Sequence, residues 1–224
     1  MNMQIERYKI DIFRDEDGDP FPPVIYAYME NDEGARVWEK GSVPHPYILV
    51  AVDGGEWNMD LSPWEAGRVF RKGEDFGGGA DAYLRDLTEK IIPSVEEELG
   101  YVPSERITGG YSLAGLFALY SVFKTDRFTA CAAASASLWF DRFAQYCMEH
   151  RPDPVLKAVF LSLGDREHHT RNERMAGVAS CTQQIYERLL ILGLKAAFEL
   201  NPGGHMDDPE GRTARAFSSV ISML

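Results

Sequence analysis

The feature that narrows the fold most is a rhythm in the second half of the chain. Short apolar runs alternate there with longer segments whose apolar residues recur at three- and four-residue steps. Ile107–Tyr111, Phe128–Ser135, Val155–Leu163 and Lys195–Leu200 have the length and composition of strands. Leu113–Phe123, Arg142–Glu149, Asn172–Leu192 and Arg212–Leu224 have helical spacing. In the third of these, Val178, Cys181, Ile185, Leu189 and Leu192 share a face, and Gly193 supplies a stop. Strands separated by helices of this length need crossover connections, which make neighbouring strands parallel and bury both faces of the sheet. The expected class is α/β: a mostly parallel sheet with helices on both faces.

The first half fits the same plan less regularly. Tyr8–Phe13 alternates apolar and polar residues, and Asp17-Gly18 after it is a hairpin-turn signal. Val24–Met29 and Tyr47–Asp53 are continuous apolar runs suited to buried strands, with a short helix over Gly34–Lys40 between them. The first strands are expected to add antiparallel pairs at one edge. Residues 54–80 read as a long loop bearing Trp57, Trp64, Phe70 and Phe76, of the kind that is functional or wraps a neighbour. Asp81–Leu99 carries Leu84, Leu87, Ile91, Val95 and Leu99 at helical spacing, with a kink or break expected at Pro93. No repeat or low-complexity linker interrupts the 224 residues, so one domain over 1–224 is expected.

Composition excludes several function classes. Apolar residues make up 45% of the chain, which separates it from disordered acidic proteins despite a net charge of −12. That charge argues against nucleic-acid binding or docking on an anionic membrane, since both need a basic face. The longest apolar stretch, around Ala130–Ala136, is far short of the ~20 residues that span a bilayer. Met1–Arg7 lacks the charged-then-apolar pattern of a signal peptide. Cys131, Cys147 and Cys181 are few, odd in number and set among apolar residues, as expected of free thiols in a reducing cytoplasm. Asp15–Asp19 lacks the spacing of a calcium loop and the Glu at its twelfth position.

The chemistry concentrates at Gly110-Tyr111-Ser112-Leu113-Ala114, a Gly-x-Ser-x-Ala sequence between a strand and a helix. A serine on such a turn is exposed at the carboxyl edge of the sheet, and the residues two before and two after it must be small because strand and helix backbones converge. The bland reading is a serine capping a crossover helix. Chain order favours the nucleophile: in the α/β-hydrolase arrangement an acid and then a histidine follow the serine. Here Gly164-Asp165-Arg166-Glu167-His168-His169 follows the strand two places after the serine's, and Asn201-Pro202-Gly203-Gly204-His205 follows the last strand. His205 is the candidate base. Glu167 and Asp165 are the candidate acids, Asp207 and Asp208 lying too near His205 in the chain. His168 and His169, adjacent on a loop, point apart and are not expected to hold a metal. His45, between Pro44 and Pro46, and His150 are expected at the surface. Trp64 reads as core, whereas Trp57 and Trp139, the latter beyond a strand's carboxyl end, are candidate pocket residues.

These residues carry a resemblance. Ile48–Asp53, Met59-Asp60-Leu61-Ser62-Pro63-Trp64, Gly77–Leu84, Gly110–Tyr120, Ala134–Trp139, Gly164–Glu167 and Gly203-Gly204-His205 are together similar to the putative-esterase family of α/β-hydrolases, which includes enterochelin esterases and esterase D type enzymes. The resemblance implies the α/β-hydrolase fold, Ser112 as nucleophile, His205 as base and Glu167 as acid, the last from the Gly-x-x-Glu pattern of the enterochelin-esterase branch. It implies the backbone N–H of Leu113 as one oxyanion donor and a second from the turn at Glu30, where relatives often read Asp-Gly and this chain reads Met29-Glu30-Asn31. Relatives often carry arginine just before the Asp60 position, where Asn58 and Met59 stand here; with the acidic balance this points away from an anionic ferric-siderophore substrate. The expectation is a serine esterase acting on small or aromatic acyl esters, with no cofactor and no metal. Its expected partner is a small-molecule ester, a homo-oligomer being allowed. The rivals are a hydrolase-fold binding module that no longer catalyses and an acyltransferase using the same residues.

Overall fold

In the computed structural model, which describes residues 1–224, the chain opens with a hairpin. Asn2–Ile5 (β1) pairs antiparallel with Tyr8–Phe13 (β2) across Glu6 and Arg7. Val24–Tyr28 (β3) follows, then Glu33–Lys40 (α1) and Ile48–Asp53 (β4). β2 pairs antiparallel with β4, not with β3, so Asp17-Gly18 closes no hairpin. The segment after β2 instead passes over to β3 on the far side of β4, and the tight turn lies at Glu6-Arg7.

The segment expected to be a long loop is partly ordered, into Trp57–Asp60 (α2) and a two-stranded ribbon of Glu65–Ala66 (β5) and Phe76–Gly77 (β6). Ala80–Asp86 (α3) and Ile92–Leu99 (α4) are joined by a widened π turn over Leu87–Ile91. Pro93 has no N–H to offer the carbonyl four residues back and its ring crowds that carbonyl. The turn before it widens, and the helical path continues to Leu99: of the expected kink or break, the chain shows a local widening and no break.

The second half follows the expected rhythm: Arg106–Tyr111 (β7), Ser112–Ser121 (α5), Ala130–Ala134 (β8), Phe143–Glu149 (α6), Ala158–Gly164 (β9), Glu173–Ala176 (α7), Val178–Ile191 (α8), Lys195–Asn201 (β10) and Pro209–Ser222 (α9). Gly177 splits the predicted long helix into α7 and α8. α9 begins three residues earlier than predicted, at a proline suited to a first helical turn.

Eight strands form one sheet in the order β1-β2-β4-β3-β7-β8-β9-β10, parallel from β4 to β10 and antiparallel at the β1–β2–β4 edge. Residues alternate between two cores. Val24, Tyr26 and Tyr28 of β3 face one, with the helices from α3 to α6 and α8, while Ile25 and Ala27 face the other, with α1 and α9. Burial on both faces is why these strands read as continuous apolar runs. α5 is buried along its whole length from Leu113 to Ser121, which explains a helix apolar on every side. β9 and β10 end level, Asn201 beside Gly164. The loops leaving them therefore emerge together at the sheet's carboxyl edge, beside the start of α5.

Candidate active site

Ser112 sits where β7 turns into α5, with a φ of +56° that non-glycine residues rarely adopt. Two positions around the turn have no room for a side chain. A Cβ at Gly110 would lie 2.7 Å from that of Ala114, and one at Gly115 would lie 2.9 Å from that of Ala136. The Gly-x-Ser-x-Ala-Gly pattern is thus the steric requirement of a serine raised above the strand ends.

His205 Nε2 lies 3.0 Å from Ser112 Oγ, and His205 Nδ1 lies 2.7 Å from Glu167 Oε2. Nδ1–H donates to the carboxylate, which leaves Nε2 to accept the serine proton. Tyr111 Oη donates to the backbone carbonyl of His205 at 2.6 Å, and Gly164 N–H donates to Glu167 Oε1 at 2.6 Å. The acid and histidine loops are laced together: Asp165 N–H donates to the Asn201 carbonyl and Arg166 N–H to that of Gly203. Such a chain of hydroxyl, imidazole and carboxylate can move a proton off the serine and return it to a leaving group.

Of the two candidate acids, the structure brings Glu167 to His205 and not Asp165. The Glu167 side chain is 3% exposed, whereas that of Asp165 is 52% exposed and accepts from Gly203 N–H at 2.8 Å. Asp207 accepts from Gly204 N–H at 2.7 Å, and Asp208 pairs with Arg215.

Leu113 N–H, in the first turn of α5, has no intrahelical partner. β3 and β7 pair with Ala27 opposite Gly109, and Glu30 lies two residues beyond the end of β3. Burial, with the Asp53 carboxylate beside it, pushes the Glu30 carboxyl above its ordinary range.

Beside Ser112 lies a cavity of about 90 Å³ walled by Trp57, Val69, Phe70, Phe76, Leu113 and Trp139, with Asn58, Glu74 and Ser137 as its polar residues. Trp57 and Trp139 line this cavity, and these two and Trp64 all pack against the larger core. The cavity's outer wall is held from behind. Asn172 Nδ2 donates to the Val69 carbonyl at 2.8 Å, and Arg174 bonds Asp141 Oδ1 while lying over the Trp139 ring. A larger depression of about 650 Å³ between Phe123, Pro154 and Leu194 contains no serine, cysteine or histidine.

Other histidines differ from one another. His150 is exposed, but His45 is buried, correcting its surface assignment. Its ring stacks on Trp38 at 3.6 Å, with Nδ1 at Asp15 and Nε2 at the Trp38 carbonyl; the flanking prolines shape the chain without exposing the ring. His168 and His169 do not point apart as expected but meet edge to face, their ring centroids 4.1 Å apart, and no group of three or more His, Cys, Asp or Glu side chains converges as a metal ion would need. Cys131 and Cys147 are buried free thiols and Cys181 is half-buried. No helix is long and apolar enough to cross a membrane.

Sequence reasoning missed Ser137, whose Oγ is 3.3 Å from Ser112 Oγ, and Arg212, whose guanidinium reaches Glu167. Ser137 had a signal, its place just beyond the carboxyl end of β8. A lone arginine on an amphipathic helix has none, because it reads as a solvated face.

Among curated proteins the chain is 26% identical over 145 residues to the uncharacterized protein YbbA of Bacillus subtilis, covering 63% of this chain and 58% of YbbA. It is 30% identical over 140 residues to the ferri-bacillibactin esterase BesA of the same organism, covering 58% of this chain and 47% of BesA. The chain spans about half the length of the curated relatives it matches. Among solved structures, an IroE-like serine hydrolase from Shewanella oneidensis superposes with a TM-score of 0.74 at 18% identity, over 99% of this chain and 78% of that one. The siderophore hydrolase EstB from Aspergillus nidulans superposes with a TM-score of 0.71 at 20% identity, over 98% and 93%. These likenesses establish the fold. A family model described as Putative esterase matches residues 30–206, from the turn after β3 to the residue beyond His205, and the chain belongs to that family, built on the α/β-hydrolase fold.

Proposed function

We propose that this protein hydrolyses small or aromatic acyl esters through an acyl-enzyme on Ser112. The observation that carries the reading is the unbroken relay from Ser112 Oγ through His205 to a buried Glu167. His205 takes the serine proton as Oγ attacks the ester carbonyl, then returns it to the leaving alkoxide. Glu167 holds the imidazole in the required tautomer and stabilises the imidazolium. The N–H groups of Leu113 and Glu30 take the developing oxyanion. Water activated by His205 then hydrolyses the acyl-enzyme.

The substrate class rests on the cavity. Its aromatic and aliphatic walls suit a compact apolar acyl group. BesA is named a ferri-bacillibactin esterase and EstB a siderophore hydrolase, which makes siderophores the competing substrates. The cavity beside Ser112 carries Glu74 and no arginine or lysine, which supports the smaller, uncharged class.

The test is turnover of p-nitrophenyl acetate and butyrate by wild type and Ser112→Ala, with fluorophosphonate labelling of both. Wild type should turn over and label. The variant should fail to label and keep only the ~10³–10⁴-fold over water that binding and an oxyanion hole alone provide. Equal rates for the two proteins overturn the reading, and a folded but unlabelled wild type makes the chain a binding module. An ester formed from an added alcohol in preference to the free acid would make it an acyltransferase.

A further inference from the structure

Arg212 is a charged residue on α9, yet its side chain is 1% exposed. A guanidinium taken out of water is costly unless every side of it is paired. Here the partners are the site itself. Nη1 donates to Glu167 Oε1 at 3.2 Å and to the Gly204 carbonyl at 2.9 Å, and Nη2 donates to the Pro202 carbonyl at 2.7 Å. Tyr111 Oη and Ser135 Oγ stand at 3.4 Å from Nη1. One planar fork therefore grips the far oxygen of the acid and two carbonyls of the loop that carries His205. A point-like ammonium could not span all three.

We propose that Arg212 is a positioning residue that clamps the acid loop to the histidine loop and adds a fixed positive charge behind Glu167. This deepens the esterase reading and rests on it for the kinetic part alone. The clamp has two consequences. It fixes the distance between Glu167 and His205, and hence the aim of the imidazole at Ser112. Its charge also pairs with the Glu167 carboxylate, so that the acid is not left buried and uncompensated. The charged and titratable groups around the pair are Glu167 and Tyr111, facing Arg212, and Asp165, Asp207 and Arg166 on the two loops. Asp165 and Asp207 are more than half exposed and the surrounding water screens them, so the buried Arg212 dominates.

The experiment compares wild type with Arg212→Met and Arg212→Lys. Arg212→Met should lower kcat for p-nitrophenyl butyrate by about 10²-fold with KM within about threefold, the scale expected of a small misplacement of reacting groups. The acid limb of its kcat/KM profile should shift, because the charge that compensates the buried Glu167 carboxylate is gone. Arg212→Lys keeps the charge and loses the fork, so its acid limb should stay while kcat falls. A low-field Nδ1–H resonance of His205, seen by NMR in wild type, should broaden or vanish in both variants. Variants that lose thermal stability but keep wild-type kcat, acid limb and resonance would show that Arg212 only supports the fold, and would overturn the proposal. If Arg212→Met does not fold, a wild-type kcat and resonance in Arg212→Lys overturn it equally. The resonance does not depend on Ser112 reacting. A wild type that neither turns over nor labels would end the esterase reading while the NMR arm still decides the clamp.

Discussion

Glu167 and Asp165 are two residues apart on one loop, and their surroundings separate their work. Glu167 is sealed in, with one oxygen on His205 Nδ1 and the other on Gly164 N–H, while Asp165 braces the backbone of Gly203 from a half-open position. Glu167→Gln places an amide against Nδ1 and can force the wrong tautomer; a fall in kcat of ~10³–10⁴-fold is expected by analogy with the aspartate-to-asparagine change in serine proteases. Asp165→Asn keeps an acceptor for Gly203 N–H and should stay within about tenfold of wild type, since surface substitutions of this kind usually cost under ~0.5 kcal/mol. Steady-state kinetics on one chromogenic ester decides between them, and an inverted order would reassign the acid. Chain order in the sequence brings the right loop to His205, but it cannot separate two carboxylates on that loop, because spacing carries no information about which one is buried. The same blindness put His45 at the surface: prolines on both sides signal a loop, and a loop residue turns inward when an aromatic ring such as Trp38 offers a stacking face.

At the scale of elements, α5 is pressed onto the end of β8, and Gly115 is the contact point. Alanine in a helix is ordinarily favoured over glycine by about 0.5–1 kcal/mol. At Gly115 the added Cβ would meet Ala136 Cβ and the Gly110 carbonyl, both at 2.9 Å and neither free to swing aside. Overpacking of this kind costs about 1–3 kcal/mol, so Gly115→Ala should lower the urea midpoint at unchanged m-value and reduce esterase activity. A higher midpoint would mean that helix propensity wins and that the elbow is looser than its geometry implies. The wall of the cavity invites a second measurement. Arg174→Ala removes the bonds to Asp141 Oδ1 and the Gly67 carbonyl and the cation over Trp139. KM for an aromatic ester should rise several-fold, with kcat nearly unchanged and faster proteolysis within residues 67–73; unchanged KM and proteolysis would detach Arg174 from the pocket. The alternation of β and α elements was legible because a sheet covered on both faces leaves unbroken apolar strands. Strand pairing was less so: β1 is short and half polar, and only the tertiary structure makes β4 rather than β3 the neighbour of β2. The architecture of residues 54–80 was hidden for a different reason, since its order comes from distant partners such as Asn172, Arg174 and Asp141.

For the molecule as a whole, a net charge of −12 means that folding gathers carboxylates, and their placement sets how stability responds to pH. Glu33, at the start of α1, is the clearest case. Burial raises its carboxyl, Arg36 offsets part of that, and Glu210 of α9 adds to it; the result is pushed up to about 7. A folded-state value above the ordinary one of 4.5 means that the folded chain holds this proton after the unfolded chain has released it. Between about pH 4.5 and 7 this group therefore makes stability fall as pH rises, and above 7 the full penalty is present. Glu33→Gln keeps the size and removes the titration. The variant should gain about 1–3 kcal/mol over wild type at pH 8, and much less of it at pH 5, where the wild-type side chain is already protonated. In a chain of this size each kcal/mol corresponds to roughly 2–4 °C in Tm, within reach of parallel thermal melts at the two pH values. The favourable interaction of a negative charge with the α1 N-terminus, worth typically ~0.3–1 kcal/mol, opposes the gain at high pH and is too small to reverse it. A difference in Tm between variant and wild type that stays constant from pH 5 to 8 would show that Glu33 is charged throughout, and that the α1–α9 interface tolerates the charge without cost.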